Sequence, residues 1–198
     1  MTRVLVINGS PSKREQSYSG AVTDLFLDKY HQLHPHDEII NLDLNDLPLA
    51  HQTLDRHNSS SYWKEVLPLI EQLKKVEKVV CVSPMNNFNV SGLMKNYLDH
   101  VLLADQTFSY KYSKKGEAIG LLKNLVVQII TTQGAPLGWY PFGNHTAFLE
   151  GTWAFMGAKI NHPSLLLAGT KVAPLKEQTP EVAAQTLLPE IDKALKTF

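Results

Sequence analysis

Residues 85–89 read Met85, Asn86, Asn87, Phe88 and Asn89, directly after the apolar run VVCV, Ser83 and Pro84. Three side-chain amides set beside a thioether and an aromatic ring place donors and acceptors against polarizable apolar surface. That combination suits a flat heteroaromatic ring bearing several nitrogens and carbonyls. A plain loop with Phe88 packed inward would account for Phe88 but not for the amides. A second segment, NGSPSKREQSYSG at 8–20, runs from an apolar strand into a helix. Ser10, Ser17, Tyr18 and Ser19 bring hydroxyls to the helix start, where unpaired N–H groups and the positive end of the dipole favour an anion. Serine is equally an ordinary helix cap and Ser-Pro an ordinary turn, so both readings stand for this loop alone. Lys13 and Arg14 either reach the anion or remain solvated. The loop has neither GxGxxG nor GxxxxGK[ST], so a terminal phosphate monoester fits it better than a dinucleotide. A third segment, TTQGA at 131–135, offers Thr131, Thr132 and Gln133 as hydrogen-bonding groups. Its Gly134 allows a close backbone approach or a positive φ.

Other chemistry finds little support. There is no G-x-S-x-G elbow and no H-E-x-x-H, and the eight histidines are scattered, so no metal site and no side-chain acid or base is expected. His34 and His36 flank a proline in a turn and read as solvated. His100 falls near the apolar face of a helix and reads as a half-buried, satisfied residue. His57 and His145 sit in irregular stretches. The single cysteine, Cys81, lies in an apolar run and reads as packing. Trp63 and Trp153 stand at helical positions and read as core. Trp139, Tyr140 and Phe142 read either as part of a substrate slot or as an intersubunit contact.

Five apolar runs rich in β-branched residues must position these loops: VLVI at 4–7, DEIINLDL at 37–44, KVVCVS at 78–83, KNLVVQIITT at 123–132 and KINHPSLLLAG at 159–169. Helical spacing appears at Val22 to Leu33, around Trp63 to Leu73, at Leu93 to Leu102 and at Leu188 to Phe198. Strands alternating with helices predict a parallel sheet covered on both faces. In such a sheet ligands bind beyond the carboxyl ends of the strands, so the loops after the first, third and fourth strands converge on one site. Residues 45–60 and 133–147 read as long irregular connections. At 198 residues and 43% hydrophobic content, one domain spanning 1–198 is expected. Nineteen basic and nineteen acidic residues leave no field to draw nucleic acid or an anionic bilayer. The run Val4 to Ile7 is too short for a signal core or a membrane span, and a lone cysteine forms no internal disulfide, so the cytoplasm is the expected location.

From VLVINGS through SPMNNFNVSGLMKNYLDHVLLADQTFSYKYSKKGEAIGLL to TTQGA and AFMGA, the chain resembles the FMN-dependent NADH azoreductases and quinone reductases of the flavodoxin-like superfamily. The likeness covers nearly the whole chain and is most specific over 84–110, where family members show P-M-Y-N-F, a lysine-containing helix and T-F-x-Y. It implies a flavodoxin-like, doubly wound α/β fold with a five-stranded parallel sheet in the order 2-1-3-4-5. It implies tightly bound, non-covalent FMN, with Ser10, Ser17, Tyr18 and Ser19 at the phosphate. Met85, Asn86, Asn87 and Phe88 would line the isoalloxazine, and Thr132, Gln133, Gly134 and Ala135 its pyrimidine end. It further implies a homodimer in which Tyr110 and Phe155 cap the neighbouring subunit's flavin. NADH or NADPH would reduce the flavin, and quinones or azo compounds would reoxidise it by a ping-pong scheme, with backbone N–H groups near Asn87 and Gly134 holding charge on the reduced ring.

Four departures from the pattern bear on substrate choice and redox tuning: Asn86 replaces a tyrosine, Ala135 replaces the second glycine of a pair, Leu137 stands where relatives can carry histidine, and the loop before Ser17 is one residue longer. Two other functions share the same fold, an FMN-binding electron carrier without substrate turnover and a flavin-free binding module. A carrier usually needs an acidic docking face, which the zero net charge does not offer.

Overall fold

The computed structural model describes residues 1–111 and 117–198; residues 112–116, in the quoted stretch just after T-F-x-Y, lie outside the described residues. Chain order gives β1 (Arg3–Asn8), α1 (Tyr18–Leu33), β2 (Glu38–Asp43), α2 (Leu67–Lys75), β3 (Lys78–Pro84) and α3 (Gly92–Val101). There follow the two-residue strands β4 (Phe108–Ser109) and β5 (Ile119–Gly120), then β6 (Val126–Gln133), α4 (His145–Phe155), β7 (Lys159–Ala168), α5 (Pro180–Ala184) and α6 (Leu188–Leu195). Five strands form a parallel sheet in the order β2-β1-β3-β6-β7, which is 2-1-3-4-5 once the small β4-β5 ribbon is set aside.

The sheet is buried on both faces, and its residues alternate between two cores. Leu5, Ile7, Val79, Cys81, Val127 and Ile129 face α2, α3 and α4, where Ile70, Tyr97, Leu98 and Trp153 complete the packing. Their neighbours Val4, Val6, Val80, Val82, Ile130 and Leu165 face α1 and α6, against Phe26, Tyr30 and Ile191. A strand whose successive side chains both meet a helix layer needs apolar residues at every position, which is why these strands read as unbroken runs rather than alternating ones.

The helices differ from expectation in three places. α2 begins at Leu67, four residues after Trp63, because Pro68 sits in its first turn, where a fixed φ and a missing N–H cost nothing. Trp63 is therefore half-buried in the preceding turns and donates its indole N–H to the Asp99 carbonyl at 3.3 Å. The short α5 is an element that the expected set of four helices lacks, and so is α4. It starts at His145, inside the stretch read as irregular, with Asn144 accepting the Ala147 N–H at 2.9 Å as its cap.

The β4-β5 ribbon is held against the end of α4 by a backbone contact that only glycine permits. A Cβ built on Gly120 would run into the Met156 and Gly157 backbone, and Gly157 itself has φ +94°. Leu122 donates to the Met156 carbonyl at 2.8 Å beside this contact. Gly120→Ala is therefore expected to cost about 2 kcal/mol and to lower Tm by about 4–8 °C in a thermal melt followed by circular dichroism. Gly151→Ala is the control: no atom lies within 4 Å of its Cβ position in α4, so Tm should hold or rise.

Candidate functional site

The strand ends that carry the site come together on one edge of the sheet because all five strands run in the same direction. At the end of β1, Ser17 caps α1, its Oγ accepting the Gly20 N–H at 3.0 Å. The Ser10 and Ser17 hydroxyls are 3.1 Å apart and those of Ser17 and Ser19 3.3 Å apart, all three buried. The N–H groups of Tyr18 and Ser19 meet no acceptor among the described residues. The cap reading and the anion reading of this loop are therefore compatible: Ser17 caps the helix while the cluster retains donors for an anion. Tyr18 takes a different part from the serines, donating its hydroxyl to the carbonyls of Leu175 and Gln178 at 3.4 and 3.3 Å. Arg14 pairs with Asp24 on α1, whose carboxyl burial pushes above its ordinary range, and Lys13 is exposed.

The amide-rich segment is a two-residue hairpin turn. Asn86 and Asn89 exchange backbone hydrogen bonds at 2.7 and 3.1 Å, while Asn87 and Phe88 take φ values of +45° and +71°. Two consecutive left-handed residues make a type I′ turn, for which asparagine is well suited and phenylalanine is not. Phe88 is held there by its ring, edge-on to Tyr140 and Phe142 at centroid distances of 4.9 and 5.0 Å. The Asn87 N–H meets no acceptor among the described residues.

At the end of β6, Thr132 accepts the Met85 N–H at 2.7 Å, which fixes the turn to the neighbouring strand. Gln133 is buried and its amide donates to the Ala135 and Pro136 carbonyls at 2.9 and 3.2 Å, so its side chain shapes its own loop. Gly134 does not have a positive φ. Its lack of a side chain admits the Lys171 stem, since a Cβ would lie 2.9 Å from Lys171 Cγ.

Two cavities open between these loops, of about 280 and 300 Å³. They share Met85, Gly134 and Lys171 as walls. The first is bounded by Ser10, Ser17, Tyr18, Ser19, Asn86, Thr132 and Gln133, and the second by Asn87, Phe88, Ala135, Trp139 and Tyr140. Residues chosen from three separate loops thus meet around one hollow, hydroxyl-rich at one end and amide-rich and aromatic at the other. A phosphate ester joined to a planar polar ring fits both ends. Tyr110 and Phe155 wall neither cavity; they lie in an aromatic group around Phe108, at centroid distances of 5.6 and 4.9 Å from it. Sequence reasoning missed Thr170 and Lys171, which reach the cavity from the loop after β7. The available signal was position: that loop leaves the same sheet edge as the other three.

His145 is buried behind this edge at the first residue of α4. Burial pushes its pKa down to about 4, against a hydrogen bond to the Thr132 backbone that works in the opposite direction. His100, expected half-buried, is fully buried; its Nδ1 lies 2.8 Å from the Asn96 carbonyl and its ring stacks on Tyr62 at 3.9 Å. Cys81 is buried and burial pushes its thiol up to about 12, which makes it inert. Among the described residues no group of three or more His, Cys, Asp or Glu could hold a metal ion, and no helix is long and apolar enough to cross a membrane.

Comparison with known proteins places residues 2–188 within a family described as having a flavodoxin-like fold. The chain is 50% identical over 200 residues to the FMN-dependent NADH:quinone oxidoreductase 1 of Mesoplasma florum, covering all of both chains. It is 48% identical over 201 residues to the FMN-dependent NADH:quinone oxidoreductase of Mycoplasmopsis pulmonis, again over both full lengths. Among solved structures it superposes on an azoreductase from Bacillus anthracis with a TM-score of 0.76 at 21% identity, covering 99% of this chain and 98% of that one, which is a likeness of fold.

The low pKa of His145 makes stability depend on pH. Unfolded, the imidazole titrates near 6.5; folded, near 4. Between those values the unfolded chain binds a proton that the folded chain does not. The His145 contribution is therefore full above pH 6.5 and is lost as pH falls towards 4, by up to about 3 kcal/mol. Urea midpoints compared at pH 7 and pH 4.5 should show a smaller drop for His145→Gln than for the parent protein; equal drops would contradict this assignment.

Proposed function

Because this chain belongs to the flavodoxin-like fold family and, within it, to the FMN-dependent NADH:quinone oxidoreductases, we propose that the joined cavities hold FMN and that the protein passes reducing equivalents from NADH to quinones or azo compounds. The observation that carries this reading is the pair of cavities that share Met85, Gly134 and Lys171, one lined by a buried serine cluster and the other by an unpaired backbone donor beside apolar surface. Bound there, FMN supplies a ring that takes a hydride from NADH and returns two electrons to the acceptor.

The chain supplies placement and electrostatics. Ser10, Ser17 and Ser19, with the Tyr18 and Ser19 N–H groups, hold the phosphate by neutral donors backed by the α1 dipole. Met85, Asn86, Asn87 and Phe88 line the ring, and the Asn87 N–H is aligned by the left-handed turn to meet charge that develops on it. Thr132, Gln133, Gly134 and Ala135 wall the pyrimidine end, chiefly through backbone groups, since the Gln133 amide is engaged within its own loop. No side-chain acid or base is required. NADH and acceptor use one face in turn, a ping-pong order, and NADPH would use the same face.

Since Tyr110 and Phe155 wall neither cavity of their own chain, their contact with the acceptor comes from a second copy, in a homodimer of single-domain chains that works in the cytoplasm. Trp139 and Tyr140 complete the acceptor wall beside the exposed Asn87 and Phe88.

An anaerobic visible spectrum tests the reading: FMN-loaded protein should bleach with NADH and recover colour with a quinone. Protein that takes up FMN but does not bleach would be a carrier, and protein that takes up none would refute the site. Replacing Ser10 and Ser19 together by alanine should weaken FMN about 10- to 100-fold and riboflavin far less, because only the phosphate loses charge-assisted bonds. In a titration followed by flavin fluorescence, equal losses for both ligands would move the phosphate elsewhere. Phe155→Ala should raise the KM for quinone severalfold while FMN affinity holds, and an unchanged acceptor profile would remove Phe155 from the site.

A further inference from the structure

Lys171 is the one residue with a formal charge among the described residues that wall either cavity, and it walls both. Its position is built. The Lys171 N–H donates to the Gly134 carbonyl at 2.9 Å and the Thr170 N–H to the Gln133 carbonyl at 3.2 Å, so the loop after β7 is tied to the end of β6. Its stem then crosses Gly134, where a Cβ would lie 2.8 Å from Lys171 Cδ. No carboxylate pairs with its ammonium among the described residues. Of the two cations on the first loop, Arg14 is taken up by Asp24 and Lys13 lines neither cavity. The residue at 137 is an apolar leucine, 74% exposed, and brings no charge to this edge.

We propose that Lys171 is a cofactor-contacting residue whose ammonium offsets the negative charge that the flavin ring gains on reduction, and that it thereby raises the flavin potential in this protein. The proposal rests on the FMN reading given above and assigns to it a residue outside the three loops that the sequence points to. A hydride carries two electrons and one proton, so its arrival from NADH, which leaves as NAD⁺, adds one unit of negative charge to the ring. Its departure to a quinone, with one further proton from water, removes that unit. The charge therefore alternates once per turnover, while the serine cluster holds a phosphate whose charge stays constant. A cation laid across Gly134 lies at the end of β6 that borders the ring, and so favours one oxidation state over the other. Charge placed beside the ring is one of the few means by which a protein sets flavin electronics. Lys171 is solvent-exposed, so screening limits its effect to a modest preference.

The test compares wild type, Lys171→Gln and Lys171→Arg as FMN-loaded proteins. Dissociation constants for oxidised FMN and for riboflavin are measured by fluorescence, and the two-electron midpoint potential by equilibration with a reference dye. Lys171→Gln should lower the midpoint by about 30 mV, which is a tenfold loss in the preference for reduced over oxidised flavin. Affinity for oxidised FMN should change less than about threefold, and Lys171→Arg should keep the wild-type potential. A Lys171→Gln midpoint within a few millivolts of wild type overturns the proposal. So does a tenfold loss of FMN affinity with riboflavin binding and potential intact, because Lys171 would then be a phosphate counter-ion. Wild-type protein that takes up no flavin would fail at the first measurement and refute the FMN site itself, which separates that failure from the failure of Lys171.

Discussion

The carbonyl oxygen of Thr132 is the point on which the sheet edge depends. β3 and β6 pair in register as far as Pro84 opposite Thr132. Proline cannot donate to the ladder, and the next residue, Met85, makes the bond instead, at 2.7 Å to Thr132. The same peptide is hydrogen-bonded by the buried His145 at the start of α4. A charged imidazole there would face both desolvation and the positive end of a helix, so the neutral form is the one that the packing accepts. The Thr131 and Thr146 hydroxyls, 2.7 Å apart, pin the same corner. Through Ser91 the arrangement reaches β1: its N–H donates to Ser83 Oγ at 3.0 Å and its hydroxyl to the Gly9 carbonyl at 2.5 Å. The loops after β1, β3 and β6 are thus fastened to one another through backbone groups and serine and threonine hydroxyls, before any ligand is considered.

That fastening allows a strained turn to stand at the edge. A left-handed conformation costs an ordinary residue about 1–2 kcal/mol, and Phe88 adopts it at φ +71°. Its compensation is aromatic, through contacts with Tyr140 and Phe142, and its carbonyl oxygen and Cα lie 3.1 and 3.4 Å from where a Cβ on Gly143 would stand. A glycine at 88 would relax the turn and lose the ring that ties it to the 138–143 loop. The sequence Met-Asn-Asn-Phe-Asn therefore answers two demands, left-handed backbone from Asn87 and an aromatic anchor from Phe88, and the donor at Asn87 N is a product of both.

The strands were legible because burial on both faces leaves a strong local signal: Val4 and Val6 serve one core, Leu5 and Ile7 the other, and the run cannot be polar anywhere. α4 was less legible. Its start is masked by the Gly, Pro and aromatic residues before Asn144, and its buried residues His145, Leu149 and Trp153 are a sparse set in which only the last two are apolar. At the site, residue types pointed to loops that the structure brings together, but not to which atoms of each residue would be available. Gln133 reads as a side-chain ligand and is instead occupied with Ala135 and Pro136; Tyr18 reads as a fourth hydroxyl and is turned to Leu175 and Gln178. Lys171 carries no local signal, because its importance arises from contact with Gly134, 37 positions earlier, and such contacts belong to the fold.

The separation of charge around the hollow gives the two ends different jobs. At the serine end the donors are neutral, buried and mutually held at 3.1 and 3.3 Å, and the nearby arginine is diverted to Asp24. Such a cradle recognises an anion by preorganised dipoles, and its hold does not alter when the ring changes oxidation state. On the wall that the two cavities share, the Lys171 stem lies over Gly134. On the proposed reading, a cation in contact with the phosphate alone would tighten both oxidation states alike, since a contact that is the same in two states cannot shift the balance between them. On that reading, retention of the cofactor belongs to the first loop and its potential to the loop after β7.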